Sequence, residues 1–380
     1  MYQSWFYNPI NFKNDLSKII SISTALPEYK HQQNDILNFM QNVYAMDEVE
    51  KRKLKFLYHQ SAICTRYSVL PDYSLNADQW QFYPASENLE PFPSLELRMK
   101  WFGKCAAPLS VSAIKKCITE KICEDEITHL ITVSCTGMSA PGLDLQIMEI
   151  MKLSTNIFRT SVNFMGCYAA IHAMKLADAF CKNDPNAKVL IVCTELCTLH
   201  FQKETTADSI ASALLFGDGS AAILITHDDH KLDGLKIKNF YSEVGFNGKE
   251  HMSWQLSSSG FLMKLSGYVP ELIEEDFDQL LQKTLQNAQM EKEEISHWCI
   301  HPGGKRILSS IEKCTSISNY DLQYSYRILN DYGNMSSPTI LFVLKEIMDS
   351  FKNIKGTGTN IFGAAFGPGL TMETFILSDG

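Results

Sequence analysis

The sequence lacks a basic excess: 34 Lys and Arg stand against 43 Asp and Glu, a net charge of −9. A nucleic-acid binder needs the opposite balance to displace counterions from phosphate, so general nucleic-acid binding is excluded, while a local basic pocket is not. No uninterrupted apolar run approaches the ~20 residues that span a bilayer, so no membrane span is expected. The start, Met1-Tyr-Gln-Ser-Trp-Phe-Tyr-Asn-Pro9, has none of the charged, apolar and small-residue parts of a secretory signal. Low-complexity tracts are absent, and no repeat shows in the letters. No Cys or His pair accompanies Cys193 and Cys197 at zinc-finger spacing, so both read as strand and pocket residues, and no metal is expected. Eleven cysteines, an odd number scattered through apolar segments, do not make a disulfide framework. Reduced thiols and a cytoplasmic location are the expectation.

What is present is a chain of 380 residues, 45% hydrophobic and 20% charged, long enough for two core-bearing units. Up to about Tyr73 it reads as mixed helical and polar, and the charged stretch Asp47 to Leu57 reads as an amphipathic helix. Asn76 to Ser94 is a polar loop, followed by helix to about Cys123. Strands and helices then alternate: strand His129 to Cys135, helix Leu143 to Leu153, strand and helix about Cys167, strand Lys188 to Cys193, helix Ala207 to Leu215 and strand Ala221 to Thr226. A charged, turn-like stretch from His227 to Lys238 marks an internal boundary, giving lobes 1–230 and 231–380. Beyond it the same alternation returns, with strand Ser296 to Ile300, helix Lys305 to Lys313, helix Thr339 to Phe351 and strand Asn360 to Ala364. The pattern predicts an α/β fold of two similar layered lobes around a largely parallel sheet.

The stretch Phe158 to Phe180 reads as strand, glycine turn at Gly166 and buried helix, which puts Cys167 on the helix's first turn. There the helix dipole and unpaired N–H groups favour an anion, so a lowered thiol pKa and a nucleophilic role are expected. Against this stands the ordinary buried thiol, which is the commoner fate of a cysteine. His301 follows an apolar strand and precedes Pro-Gly-Gly, a rigid turn from which an imidazole can polarise a carbonyl or move protons. Asn334 precedes Met-Ser-Ser-Pro338, where Ser336 or Ser337 is expected to cap a helix that Pro338 opens. Alone, such a histidine or asparagine is as readily a local hydrogen-bonding or turn residue. Together, a thiol and two neutral donors suit a single chemistry, in which an acyl group is accepted, a malonyl thioester is decarboxylated through its enolate, and the two are joined. A papain-type protease does not fit, because the Cys-Gly-Ser-Cys-Trp-like context is absent.

Asn163-Phe-Met-Gly-Cys167-Tyr-Ala-Ala, Leu215-Phe216-Gly-Asp-Gly, Trp298-Cys-Ile-His301-Pro-Gly-Gly, Tyr332-Gly-Asn334-Met-Ser-Ser and Phe366-Gly-Pro-Gly369 resemble, in order and spacing, the motifs of the type III polyketide synthases, the chalcone-synthase-like enzymes. The resemblance runs from about Ile20 to the C-terminus. It implies a thiolase-like αβαβα fold, a homodimer, and acyl-CoA and malonyl-CoA as substrates, with no cofactor beyond these thioesters. It further implies that Cys167 is the acyl-accepting nucleophile, that His301 and Asn334 bind the malonyl carbonyl, and that Phe216 and Met263 are gatekeepers. Cys135, His200 and Trp254, with Ser336 and Pro368 in the last two motifs, match substrate-binding positions. Trp254 stands where plant members have Gly and is expected to close off volume.

Lys53, Lys55, Lys305 and Arg306 fall where the family places the mouth of its CoA tunnel, although Gln60 replaces one lysine of the plant triad. Ala365 replaces a common Gly ahead of Phe366, and Ala140 stands in the loop that carries a cross-subunit Met in plants. The Ser-Cys-Thr-Gly and Asn-Phe-Met-Gly-Cys-Tyr strings are more similar to bacterial members, which implies long acyl starters and alkylpyrone or alkylresorcinol products. Two alternatives stay open: an initiating ketoacyl synthase of fatty-acid synthesis working with a carrier protein, and a non-catalytic thiolase-fold scaffold.

Overall fold

Ser17-Lys-Ile-Ile-Ser-Ile-Ser-Thr-Ala25 carries the β-branched Ile19, Ile20, Ile22 and Thr24, which favour a strand, and in the computed structural model it forms β1 (Ser17–Ala25), in the middle of a nine-stranded sheet. The structure describes residues 16–44, 46–86, 88–351 and 358–380; the stretch Met1–Pro9 read above lies outside them. The reading of the first seventy residues as helical and polar missed this strand. After β1 come β2 (Tyr29–Gln32), α1 (Gln33–Val43), α2 (Glu48–Gln60), β3 (Thr65–Ser68), α3 (Leu95–Ile118), β4 (His129–Ser134), α4 (Leu143–Met151) and β5 (Phe158–Asn163). The chain continues through α5 (Ala169–Asn183), β6 (Lys188–Leu196), α6 (Ala207–Leu215), β7 (Asp218–His227), β8 (Leu235–Val244), the hairpin β9 (Met252–Ser257) and β10 (Gly260–Leu265), and α7 (Val269–Ala288). It closes with β11 (His297–Ile300), α8 (Lys305–Thr315), α9 (Gln323–Tyr332), α10 (Thr339–Asp349), β12 (Asn360–Gly367) and β13 (Thr371–Ser378).

The sheet order is β11-β12-β13-β8-β1-β7-β6-β4-β5. Only β4 with β5, β4 with β6, and β11 with β12 run parallel; the remaining pairings are antiparallel. The sheet is therefore mixed, which corrects the expectation of a largely parallel one. Strand sense is invisible to hydropathy, because a strand buried on both faces reads as the same apolar run in either direction. Both ends begin parallel and continue antiparallel, through three parallel strands (β5, β4, β6) at one end and two (β11, β12) at the other, and they meet at the short β1–β8 pairing, Lys18 with Lys236 and Ile19 with Leu235.

Three cores give the layers. One holds α3 with its neighbours against the N-terminal strands, and another holds α7 and α8 against the C-terminal strands. Between them α5 and α10 pack with strands of both halves. The result is the thiolase-like αβαβα arrangement. The central helices can sit close to their neighbours because α5 is small along one face: Ala169, Ala170, Ala173 and Ala177 share it and are wholly buried. Their N-terminal ends meet near one point, and the chemistry-capable turns lie there.

Candidate active site

Strand β5 delivers the chain to Gly166, whose φ of +76° only glycine takes without strain, and a Cβ there would collide with the Pro368 ring. The turn Gly166–Tyr168 is 3₁₀, and α5 starts only at Ala169. Cys167 thus sits just ahead of the helix, half-buried and facing a void. The expected lowering of its thiol pKa does not hold. Burial, the largest influence, pushes it up to about 12, with Glu195 adding to the rise and Ser336 and Asn334 opposing it. In a dry pocket the cost of desolvating a thiolate outweighs what the turn's dipoles return.

Asn334 is held through its amide oxygen, which accepts the Ser336 N–H at 2.8 Å. That leaves the amide nitrogen facing the Gly303 carbonyl at 3.4 Å and Cys167 Sγ at 4.0 Å. Ser336, at φ +61°, places its Oγ 3.7 Å from the same sulfur. The predicted cap differs: Pro338 directly precedes α10 with no side-chain cap, Ser337 Oγ donates instead to Glu195, and Thr339 Oγ1 accepts the Met335 N–H. His301 follows β11, with its N–H bonded to the Ala364 carbonyl. Both its ring nitrogens are buried without a hydrogen-bond partner, and burial lowers its pKa to about 3, so the ring is neutral at physiological pH. Two unsatisfied imidazole nitrogens beside a thiol and an amide are what a site awaiting a polar ligand presents.

One narrow void gathers Cys167, His301, Asn334, Phe216, Met263, Cys135, Trp254, Ser336 and Pro368. His200 does not reach it. It lines a second, narrow space, the inner chamber, that shares Cys197, Phe216, Trp254 and Met263 with the void. His200 accepts the Phe261 N–H, donates to the Thr136 carbonyl at 2.7 Å and stacks on Phe261, so its ring shapes the wall. Trp254, at the boundary between the two spaces, donates to the Cys135 carbonyl at 2.7 Å. On the other side the void shares Leu265, Gly303 and Ile307 with a wide outer depression. Lys53, Gln60, Lys305 and Arg306 line that depression, and Lys55 does not; it projects from α2 elsewhere on the surface. Arg306 is already engaged by Glu271 and the Gly267 carbonyl. Ala365 lies inside β12, wholly buried in the central core, so its added methyl is absorbed there and not in the loop.

Sequence reading missed Glu195, a lone acid in the apolar strand β6. It is fully buried and accepts bonds from Cys135 N, Thr136 Oγ1 and Ser337 Oγ, yet burial still raises its pKa to about 7. A charged residue inside an otherwise apolar strand was the available signal. All eleven cysteines are unbridged, and among the described residues no group of His, Cys, Asp or Glu is arranged to hold a metal ion.

A five-layered thiolase-like body with a thiol at the turn before its central helix defines the class of acyl-transferring condensing enzymes. The chain belongs to the chalcone and stilbene synthase family, the type III polyketide synthases: the family's N-terminal domain matches residues 11–229 and its C-terminal domain residues 241–379. It is 30% identical over 370 residues to type III polyketide synthase A of Arabidopsis thaliana, covering 94% of this chain and 92% of that one. It is 28% identical over 360 residues to the alpha-pyrone synthesis polyketide synthase-like Pks18 of Mycobacterium tuberculosis, covering 93% and 89%. Among solved structures, PKS-I of the brown alga Ectocarpus siliculosus superposes with a TM-score of 0.90 at 25% identity, covering 96% of this chain and 99% of that one. No helix among the described residues is long and apolar enough to cross a membrane.

Proposed function

We propose that Cys167 takes an acyl group from acyl-CoA as a thioester, releasing CoA, and that His301 and Asn334 hold the carbonyl of malonyl-CoA while it loses carbon dioxide. The enolate so formed attacks the Cys167 thioester carbonyl, the new carbon–carbon bond forms, and the cysteine sulfur leaves. Repetition followed by ring closure gives the product. The observation that carries this reading is the meeting of thiol, carboxamide and unpartnered imidazole on one void. A neutral imidazole donates a hydrogen bond without a compensating anion, which suits stabilising an enolate oxygen.

Lys53 and Lys305, at the mouth of the outer depression, support CoA thioesters as substrates with no further cofactor. The relative named for alpha-pyrone synthesis points toward alkylpyrone or alkylresorcinol products. Strand β5 is a sheet edge, and Met138, Leu145, Ile150 and Phe158 are exposed on or near it, which supports a homodimer; Ala140 lies in the same region. Eleven unbridged thiols support a cytoplasmic setting.

Cys167→Ala is expected to abolish acyl loading, read by mass spectrometry of the intact protein, and all chain extension. Extension retained by that variant would refute the assignment. Malonyl-CoA against malonyl carrier protein as extender separates this reading from the initiating ketoacyl synthase, and the presence of all three polar groups argues against an inert scaffold.

A further inference from the structure

We infer that Arg66 is a positioning residue, holding the gatekeeper Phe216 and the carboxamide of Asn334 in one register; this rests on the site reading above. Strand β3 carries Arg66 into the wall of the inner chamber, where it is 3% exposed. Among the described residues no carboxylate forms an ion pair with it. Its charge goes to neutral acceptors: Nη1 donates to the Phe216 carbonyl at 2.5 Å, and Nε donates to Gln33 Oε1 at 2.9 Å. Gln33, at the start of α1, donates in turn to the Leu214 carbonyl at 3.0 Å.

These bonds fall on the end of α6, where carbonyls lose their helical partners. The carbonyl between the two, that of Leu215, is taken at 2.9 Å by the N–H of Asn334, and the Gly217 N–H returns a 2.9 Å bond to the Asn334 carbonyl. Phe216 and Asn334 are thereby paired as an isolated bridge between distant parts of the chain. Arg66 touches both sides of it. Gly333, at φ +67°, leaves so little space that a Cβ there would lie 3.0 Å from Arg66 Cγ and Cδ. One side chain therefore clamps the gate by hydrogen bond and supports the backbone before Asn334 by contact. A charged donor in dry surroundings makes that clamp stiffer than a neutral one.

Acyl loading needs Cys167, whereas condensation also needs Asn334 in place, and this separates a positioning role from mere structural support. Arg66→Met is expected to lose far less in single-turnover loading of acetyl-CoA onto Cys167, a starter too short to reach the wall that Arg66 forms, than in condensation. Condensation with malonyl-CoA should fall about a hundredfold, as for a displacement of roughly an ångström at a reacting group, with an altered product-length profile. Arg66→Lys, which keeps the charge but not the fork, should recover part of the condensation rate. Equal losses in loading and condensation, or an unchanged condensation rate and profile in folded Arg66→Met, would overturn the inference. Where Arg66→Met yields no folded protein, Gln33→Leu decides: a fall in condensation relative to loading supports the clamp, and an unchanged ratio overturns it. Wild-type protein that neither loads nor condenses would instead overturn the parent reading.

Discussion

The void around Cys167 and the outer depression are built on opposite terms. In the void, His301, Asn334 and Ser336 are almost wholly buried and each is placed by backbone bonds or a turn that only certain residues can form. At the depression, Lys53, Lys305 and Arg306 stand on exposed helix faces, and the ion pair Arg306 makes is with its own neighbour Glu271. Chemistry that depends on tenths of an ångström has been given a rigid, dry setting; charge that need only attract has been left where water screens it.

That contrast is sharpest if substitutions in the void cost far more than those at the mouth. Asn334→Ala and His301→Gln are expected to lower condensation about a hundredfold to a thousandfold while Cys167 still accepts an acyl group, measured as loading and turnover side by side. Losses no larger than those at the mouth would break the comparison. Trp254→Gly should join the void to the inner chamber and lengthen the product distribution, read by product mass spectrometry. Its stability cost should stay below the ~3–5 kcal/mol of truncating a fully buried aromatic, because the indole is only half-buried.

Glu195→Gln tests the void through pH. Glu195 ionises near 7 in the fold and at its ordinary, lower value when unfolded, so its contribution to stability is complete below that ordinary value and is lost as pH rises through 7. His301 and His200, both lowered to about 3 by burial, act in the other direction, adding stability that is present above their ordinary value and lost as pH falls toward 3. Comparing Glu195→Gln with wild type by urea unfolding at pH 5 and pH 8 isolates the carboxyl, with an expected difference on the order of 3 kcal/mol favouring the variant at the higher pH. The smallest effect belongs to the mouth: Lys53→Ala with Lys305→Ala should raise KM for acyl-CoA a few-fold, leave kcat unchanged, and lose that effect in high salt.

The void was legible in the sequence because its parts announce themselves locally. Gly166 before Cys167, Pro-Gly-Gly after His301, and Gly333 before Asn334 each demand a sharp turn at a strand or helix end. The state of the thiol was not legible, since a helix start favours a thiolate and burial opposes it, and only packing decides between them. Glu195 and Arg66 escaped notice for a related reason: each acts through partners more than a hundred residues away or on another element, so no local pattern marks it. The order of the sheet is the largest omission. β1 falls in a stretch that reads as mixed helical and polar, and nothing near it says that it is a strand or that its partners are β7 and β8.

The central place of β1 has a consequence for how the protein is made. Its partners Asp218–His227 and Leu235–Val244 are synthesised roughly 200 residues later, so at about 5–20 residues per second the segment waits on the order of ten to forty seconds on the ribosome before it can pair. During that interval a strand of mixed polarity with two unpaired edges is exposed to other nascent chains.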